Sequence, residues 1–200
     1  MKKKVARDEQ KAETRDALVR AAAAEMADKG IEAASLNQIC DRAGFTRGAF
    51  YVHFRDREEL VAAVVERVLG EFQATLLPGD APSELGETIG RFVAAVLAGT
   101  PEAVGTSRWK FHHTLTACAT APTIRKKYNA LQYRARDRLA EGARAGQKDG
   151  TVRRDVTPRA LAEILLVMTL GVSAATDLGL DVDYAAGGAA LRKLLAPPRG

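Results

Sequence analysis

Cysteines, aromatic residues and long apolar runs are all scarce in this chain of 200 residues. Its two cysteines, Cys40 and Cys118, lack the close spacing of a metal site or a redox pair, and we expect both to be buried thiols. The longest apolar runs, such as residues 164–168, are far shorter than the roughly 20 residues that cross a bilayer. The charged beginning of the chain has no signal-peptide pattern. These absences predict a cytoplasmic protein without a metal site or a membrane partner.

Negative charge is scarce in two segments, although the net charge of the chain is only +5. Residues 1–7 contain four bases and no acid, and residues 107–138 contain eight bases and one acid, Asp137. A basic chain is compatible with a polyanionic partner. We interpret the second segment as the solvated outer face of a helix. The alternative is a surface that attracts anionic effectors, and contact with DNA or an acidic membrane is less favoured.

Alternating strand patterns are also missing, and apolar residues recur at helical spacing throughout, which predicts an all-α fold. Glycines and prolines punctuate the chain and set the expected helix limits. The predicted helices cover residues 9–29, 36–43, 47–54, 56–72, 84–98, 102–118, 122–147, 158–178 and 183–195. We expect a small N-terminal domain at 9–56, a connecting helix at 57–76 and a larger helical domain at 77–196.

Four of the eleven aromatic residues lie in the stretch AGFTRGAFYVHF, residues 43–54. Ser35 and Gln38 have the spacing of a capping box, and Thr46 is placed to cap a second short helix. Two short helices joined by a glycine turn form a helix-turn-helix. The second helix is small at its front, at Gly48 and Ala49, and aromatic behind.

This distribution suits a helix that enters the major groove of DNA with its N-terminal end. Small residues let the backbone approach the base edges, and Arg47 can donate two hydrogen bonds to guanine. Phe50 and Phe54, four residues apart, would anchor the helix on its scaffold. Tyr51 and His53 could donate to phosphates. The spacing alone is a weak signal, because many proteins that do not bind DNA contain two short helices around a glycine.

The run SLNQICDRAGFTRGAFYVHFRDREEL, residues 35–60, resembles the N-terminal domain of the TetR family of transcriptional repressors. The match covers roughly residues 11–70. The resemblance implies that Thr46, Tyr51, His53 and Arg55 contact phosphates or bases and that Arg47 reads a base. Together with the basic arm, the predicted DNA-binding residues are Lys3, Lys4, Ser35, Thr46, Arg47, Gly48, Ala49, Tyr51, His53 and Arg55.

For residues beyond 77 the resemblance implies an all-α domain that binds a small effector and forms a homodimer. Large or polar side chains are the candidates for an effector pocket. They are Phe72, Phe92, Trp109, His112, His113, Tyr128, Tyr133 and Met168. Each of them taken alone could equally fill the core. The adjacent pair His112 and His113 cannot place both rings on one helical face, so we expect no metal there.

The helix predicted at 158–178 is apolar around most of its circumference, so it must be buried on more than one side. A homodimer interface accounts for this, with a central helix of a monomeric core as the alternative. The predicted interface residues are Leu161, Leu165, Val172, Leu191 and Leu195.

Together these features predict a ligand-responsive repressor that binds a palindromic operator as a homodimer and is released by a small-molecule effector. The alternative is a small-molecule binding protein with a vestigial helix-turn-helix. An enzyme is disfavoured, because the sequence shows no activated nucleophile, paired carboxylates or glycine-rich phosphate loop. We expect no cofactor.

Overall fold

The computed structural model describes residues 2–79, 81–98 and 109–198, with side chains from residue 7 onward. Within these ranges all regular structure is helical, which confirms the all-α prediction. The helices are α1 (Lys2–Lys29), α2 (Leu36–Ala43), α3 (Arg47–His53), α4 (Arg57–Leu76), α5 (Leu85–Leu97), α6 (Phe111–Thr120), α7 (Pro122–Asp149), α8 (Pro158–Asp177) and α9 (Tyr184–Leu195).

Side-chain caps fix the limits of α2 and α3. Ser35 Oγ accepts a hydrogen bond from Gln38 N at 3.2 Å, and Gln38 Oε1 accepts one from Ser35 N at 3.2 Å. Thr46 Oγ1 accepts from Ala49 N at 3.2 Å. Gly44 ends α2 with a φ of +76°, a left-handed conformation that glycine adopts without strain. The capping box and the Thr46 cap predicted from the sequence are confirmed.

The beginning of α1 differs from the prediction. The helix starts at Lys2 rather than near Glu9, so the predicted basic arm is helical. No glycine or proline interrupts residues 2–9, and lysine and arginine are good helix formers. An established helix therefore continues through them at little cost, since only its nucleus is unfavourable.

The beginning of α6 also differs. The predicted helix at 102–118 starts at Phe111 instead, and residues 99–108 lie outside the described part of the chain. Two contacts hold the residues just before the helix in a non-helical conformation. Trp109 Nε1 donates to Thr114 Oγ1 at 2.9 Å, and Lys110 N donates to His113 Nδ1 at 3.3 Å. The second contact satisfies an amide at the entry to α6.

The described residues form two compact units. The N-terminal unit contains residues 2–69 and 109–128, and therefore includes α6 as well as α1 to α3. Its core combines side chains from both segments: Leu18, Ala22, Met26, Ile39, Cys40, Phe50, Phe54, Leu60, Val61, Val64, Val65, Ala117, Cys118, Ala121 and Ile124. Both cysteines are buried thiols, as predicted, and burial raises the pKa of each.

The C-terminal unit contains residues 70–79, 81–98 and 129–198. Its core is formed by Leu76, Leu77, Leu85, Ile89, Ala135, Leu139, Ala140, Ala143, Val152, Leu161, Ala162, Leu165 and Leu195. α5 packs on α9, where a Cβ on Gly188 would come within 2.5 Å of Val93 Cγ2. Glycine is needed at that point because the two helices approach so closely. The predicted domain limits at 56, 76 and 196 stay predictions.

Much of the apolar surface of α8 is uncovered within the described part of the C-terminal unit. Leu161, Ala162 and Leu165 face the core, whereas Ile164, Val167 and Met168 are exposed. By length and composition alone α8 could cross a membrane, a test that core helices of soluble proteins also pass. Exposed apolar side chains of this kind often mark an interaction surface.

Candidate nucleic-acid interface

α3 presents one face to the core and the other to solvent. Phe50 and Phe54 are buried, with their rings stacked at 5.4 Å between centroids. On the other side Arg47, Tyr51 and Val52 are exposed, Tyr51 by 55% and Val52 by 64%. The aromatic end therefore holds a helix of only seven residues, too short to be stable alone, on its scaffold. The tip and outer face remain accessible to a partner.

Gly48 lies in the first turn of α3, on the exposed side. A Cβ built at this position would find Thr46 Oγ1 at 3.6 Å as its only neighbour within 4 Å among the described atoms. That distance is an ordinary van der Waals contact, and the φ of Gly48 is not positive. The fold of the N-terminal unit therefore does not require glycine here.

An ionic network fixes α2 against α1. Arg42 Nη1 donates to Glu25 Oε1 at 2.9 Å, and Lys29 Nζ lies 2.8 Å from Glu25 Oε2. Lys29 first, and then Arg42, holds the pKa of the buried Glu25 carboxyl below its usual value. Losing either cationic partner would leave part of the charge of this buried carboxylate uncompensated and would destabilise the packing of α2 on α1.

Arg57 at the start of α4 is a structural residue that sequence reasoning missed. Its Nη2 donates to the carbonyl oxygens of Ile31 and, at 3.1 Å, Ala34, in the loop between α1 and α2. The sequence gives one signal for this role: Arg57 lies in the first turn of a helix, where the helix dipole disfavours positive charge. A base at such a position suggests that it has a partner elsewhere. The contact ties the start of α4 to the loop between α1 and α2.

His53 ends α3 and is half-buried. Its Nδ1 is buried, and no described group forms a hydrogen bond to it. Burial first, and then the charges of Lys11 and Arg15, lowers the pKa of His53 below its usual value of 6.5. The ring is therefore neutral near pH 7. In the tautomer with the hydrogen on Nε2, it can donate one hydrogen bond outward.

The other predicted DNA-binding residues have varied surroundings. Ser35 is exposed, although its hydroxyl is occupied in the capping box of α2. Arg55 is exposed, and its Nε donates to Asp56 Oδ2 at 2.9 Å, a pairing that raises the pKa of Arg55. Ala49 is half-buried behind the tip of α3. The side chains of Lys3 and Lys4 lie outside the described residues.

The eight predicted effector residues divide between the two units. Trp109, His112, His113 and Tyr128 belong to the N-terminal unit, and Phe72, Phe92, Tyr133 and Met168 belong to the C-terminal unit. In the first group, ring centroids lie 5.2 Å apart for Trp109 and His113 and 4.3 Å apart for the two histidines. In the second, the rings of Phe72 and Phe92 meet edge to face at 6.3 Å, while Tyr133 and Met168 are exposed.

The predicted dimer residues do not coincide with the exposed apolar surface. Leu161, Leu165 and Leu195 are buried in the core of their own C-terminal unit, and Val172 and Leu191 are half-buried. Large apolar side chains are exposed nearby in sequence instead: Ile164, Val167, Met168, Leu178, Leu180, Val182 and Leu194.

Two short helices meeting at a left-handed glycine, with the second helix open to solvent along its outer face, define a helix-turn-helix protein. Residues 18–64, which span this motif, match the family described as bacterial regulatory proteins, tetR family. The part of the chain that contains the helix-turn-helix therefore matches the tetR family, and the curated relatives are transcriptional regulators.

Three comparisons illustrate the relationship. The chain is 36% identical over 90 residues to the transcriptional repressor KstR2 of Mycolicibacterium smegmatis, an alignment that spans 43% of each chain. It is 25% identical over 181 residues to the transcriptional regulator UidR of Escherichia coli K12, which covers 87% of this chain and 88% of UidR. The structure of the SmeT–triclosan complex, from Stenotrophomonas maltophilia, superposes with a TM-score of 0.70 at 24% identity, covering 90% of this chain and 88% of SmeT.

Proposed function

We propose that this protein is a ligand-responsive transcriptional repressor that binds a palindromic operator as a homodimer and is released by a small-molecule effector. The observation that carries the proposal is the outer face of α3. Arg47, Gly48 and Tyr51 stand in solvent, while Phe50 and Phe54 fix the helix from behind. A cytoplasmic location follows from the proposed target, chromosomal DNA.

The N-terminal end of α3 supplies the sequence-reading contacts. Arg47 can form a bidentate pair with O6 and N7 of guanine in the major groove. Thr46, Tyr51 and the outward nitrogen of His53 would donate to phosphates, which position the helix without reading sequence. The exposed methyl groups of Val52 offer an apolar contact of the kind that recognises thymine.

Repression is supported by the relatives. KstR2 is named as a repressor, and SmeT is described as the repressor of a multidrug efflux pump. In this proposal the protein represses by occupying its operator and the effector releases it, so the DNA-bound form is the form without effector. This direction of regulation is carried over to the present chain as part of the proposal.

The homodimer is supported by the uncovered side of α8. Ile164, Val167 and Met168 follow one another at helical spacing, and Val167 is 66% exposed. A second copy related by a twofold axis would bring the same patch against itself and remove it from water on both sides. Two recognition helices held in this way read two half-sites of a palindrome.

The effector response is supported by the composition of the N-terminal unit. α4 packs in one core with α6 and with the first turns of α7. Glu58 accepts a hydrogen bond from Thr123, and Lys127 Nζ donates to Glu66 Oε2 at 3.3 Å. A ligand that displaces α6 would therefore displace α4. SmeT binds triclosan. In the present chain the aromatic residues around Trp109 in the N-terminal unit, and separately those around Phe72 in the C-terminal unit, are the candidates for effector contacts.

Release also sets a thermodynamic condition. The effector must bind the state with low DNA affinity more tightly than the state with high DNA affinity, since equal affinities shift nothing. The effector-bound protein should therefore bind the operator less tightly, and operator DNA should reduce effector affinity by the same factor.

Selection of bound duplexes from a random pool tests the function and the symmetry together. We expect a palindromic sequence bound in a salt-dependent manner. Arg47→Ala should weaken binding to that sequence by about 1–3 kcal/mol and relax selectivity at one base pair in each half-site. Arg144→Ala, at an exposed base of the C-terminal unit, is the matched control and should bind like wild type.

One outcome would contradict the proposal, and another would change the role given to Arg47. A pool that yields no preferred sequence, from a protein that still binds small aromatic ligands, would favour the alternative function of a ligand-binding protein with a vestigial helix-turn-helix. An equal loss for Arg47→Ala on every duplex would assign Arg47 to a phosphate rather than to a base.

A further inference from the structure

The first described turns of α1 stand out from the N-terminal unit. Every residue from 7 to 13 is exposed, whereas Leu18, Ala22 and Met26 further along the same helix are buried. We refer to residues 7–15 of α1 as the basic extension. Because these turns propagate from a helix that is held by its core contacts, their side chains are not used for packing and remain available to a partner.

The basic extension contains three bases and three acids, and its three bases share one side of the helix. Arg7, Lys11 and Arg15 follow one another at intervals of four residues, so they share one face of the helix. Leu18 and Ala22 continue that face at the next helical intervals, and both are buried. The basic face is therefore the prolongation of the side by which α1 packs into the unit. Glu9 and Glu13 lie on the opposite side of the helix, whereas Asp8 lies near Arg15 at the edge of the basic face, about two turns away along the helix.

The same face meets the end of α3. The guanidinium of Arg15 lies 4.9 Å from the centroid of the Phe54 ring, directly after α3. The charges of Lys11 and Arg15 also act on His53, the last residue of α3. The cations of the basic extension thus begin beside the candidate reading helix and continue away from it through Lys11 to Arg7.

We propose that the basic extension binds the phosphate backbone of double-stranded DNA beside the base pairs that α3 reads, with Arg7 and Lys11 as the contacting side chains. This inference rests on the proposed function. The span from Arg7 to Arg15 is about 12 Å at 1.5 Å per residue. One DNA strand presents a phosphate every 3.4 Å along its axis, so Arg7 and Lys11 can each take a separate phosphate.

An anionic membrane is a weaker match for this surface. Helices that lie on membranes combine bases with a large apolar face. Residues 7–13 contain a single apolar residue, Ala12. A face of bases without apolar neighbours suits phosphates that remain in water, which is the environment of a DNA backbone.

The salt dependence of DNA binding tests the proposal. The double variant Arg7→Gln with Lys11→Gln removes two charges, and both residues are exposed, so the fold should be retained. The slope of log Kd against log salt should fall by about 1 for each side chain, or about 2 per protomer. The loss of affinity should be equal on the selected duplex and on an unrelated duplex of the same length, because phosphate contacts carry no sequence information.

The matched control is Arg144→Gln with Lys148→Gln, which makes the same charge change at exposed positions of α7 in the C-terminal unit. Its slope should equal that of wild type. Equal thermal midpoints for the three proteins would show that the variants are folded. A slope unchanged by the Arg7 and Lys11 substitutions, or lowered equally by the control, would overturn the proposal.

Other outcomes separate this proposal from the proposed function. If wild type shows no sequence preference, the proposed function fails, while the slopes on the unrelated duplex still decide the role of the basic extension. If the variant loses selectivity with an unchanged slope, Arg7 and Lys11 do not bind phosphates. A different result would be that the double variant loses binding to vesicles of anionic phospholipid while its slope of log Kd for DNA against log salt equals that of wild type. That result would assign the basic extension to membranes and overturn the proposal.

Discussion

Replacing Gly48 with alanine separates the needs of the fold from the needs of DNA binding. In the free protein the added Cβ would meet Thr46 Oγ1 at 3.6 Å and no other described atom within 4 Å. Alanine is favoured over glycine inside a helix by roughly 0.5–1 kcal/mol. The free energy of unfolding of Gly48→Ala should therefore equal that of wild type or exceed it by up to about 1 kcal/mol.

DNA binding should respond in the opposite direction. The methyl group would stand on the exposed side of α3, between the helix backbone and the base edges. Pushing the helix outward would lengthen its contacts, and losing one hydrogen bond to a charged phosphate costs about 1.5–3 kcal/mol. The Kd for the selected duplex should rise by roughly 10- to 150-fold.

Two measurements are needed for each protein: denaturant unfolding, and fluorescence anisotropy with a labelled duplex at fixed salt. The matched control is Gly90→Ala in α5, where an added Cβ also has no described neighbour within 4 Å. The control should gain similar stability and keep its DNA affinity. Unchanged DNA affinity of Gly48→Ala would refute the idea that glycine allows close approach, and a loss of folding stability would refute our account of the space around it.

The remaining predictions concern assembly and pH. Val167→Arg should convert the proposed dimer to monomers in analytical ultracentrifugation without unfolding the C-terminal unit, because Val167 is 66% exposed. Glu141→Arg, at an exposed position of α7, should assemble like wild type, and a dimeric Val167→Arg would place the interface elsewhere. Because the pKa of folded His53 is lowered from 6.5 by burial and by Lys11 and Arg15, the unfolded chain takes up this proton first. Stability should therefore be greatest above pH 6.5 and fall as the pH drops below it; urea midpoints of His53→Gln should lose this part of the pH dependence, and parallel profiles for variant and wild type would contradict the assignment.

Local chemistry made α2 and α3 predictable. Ser35, Gln38 and Thr46 cap backbone amides within three residues of themselves, and Gly44 adopts the left-handed conformation that ends α2. Each of these signals acts over a few residues, so it is visible in the sequence. The exposure of Arg47 on α3 followed from the same local pattern.

Long-range contacts and helix propagation were not predictable in the same way. Arg57 bonds to carbonyl groups 23 and 26 residues earlier, and no short pattern announces such a contact. The early start of α1 has no cap to mark it. The apolar residues of α8 surround the helix, so spacing alone could not tell that Leu165 faces the core while Val167 is exposed.

The placement of α6 affects how the protein can be dissected. A gene fragment that stops after residue 76 would encode α1 to α4 but omit Ala117, Cys118, Ala121 and Ile124, which are buried in the same core. The truncated product would expose apolar side chains of α4 to water and would be prone to aggregate. The smallest piece expected to retain a native α3 must therefore be assembled from two separate stretches of the polypeptide.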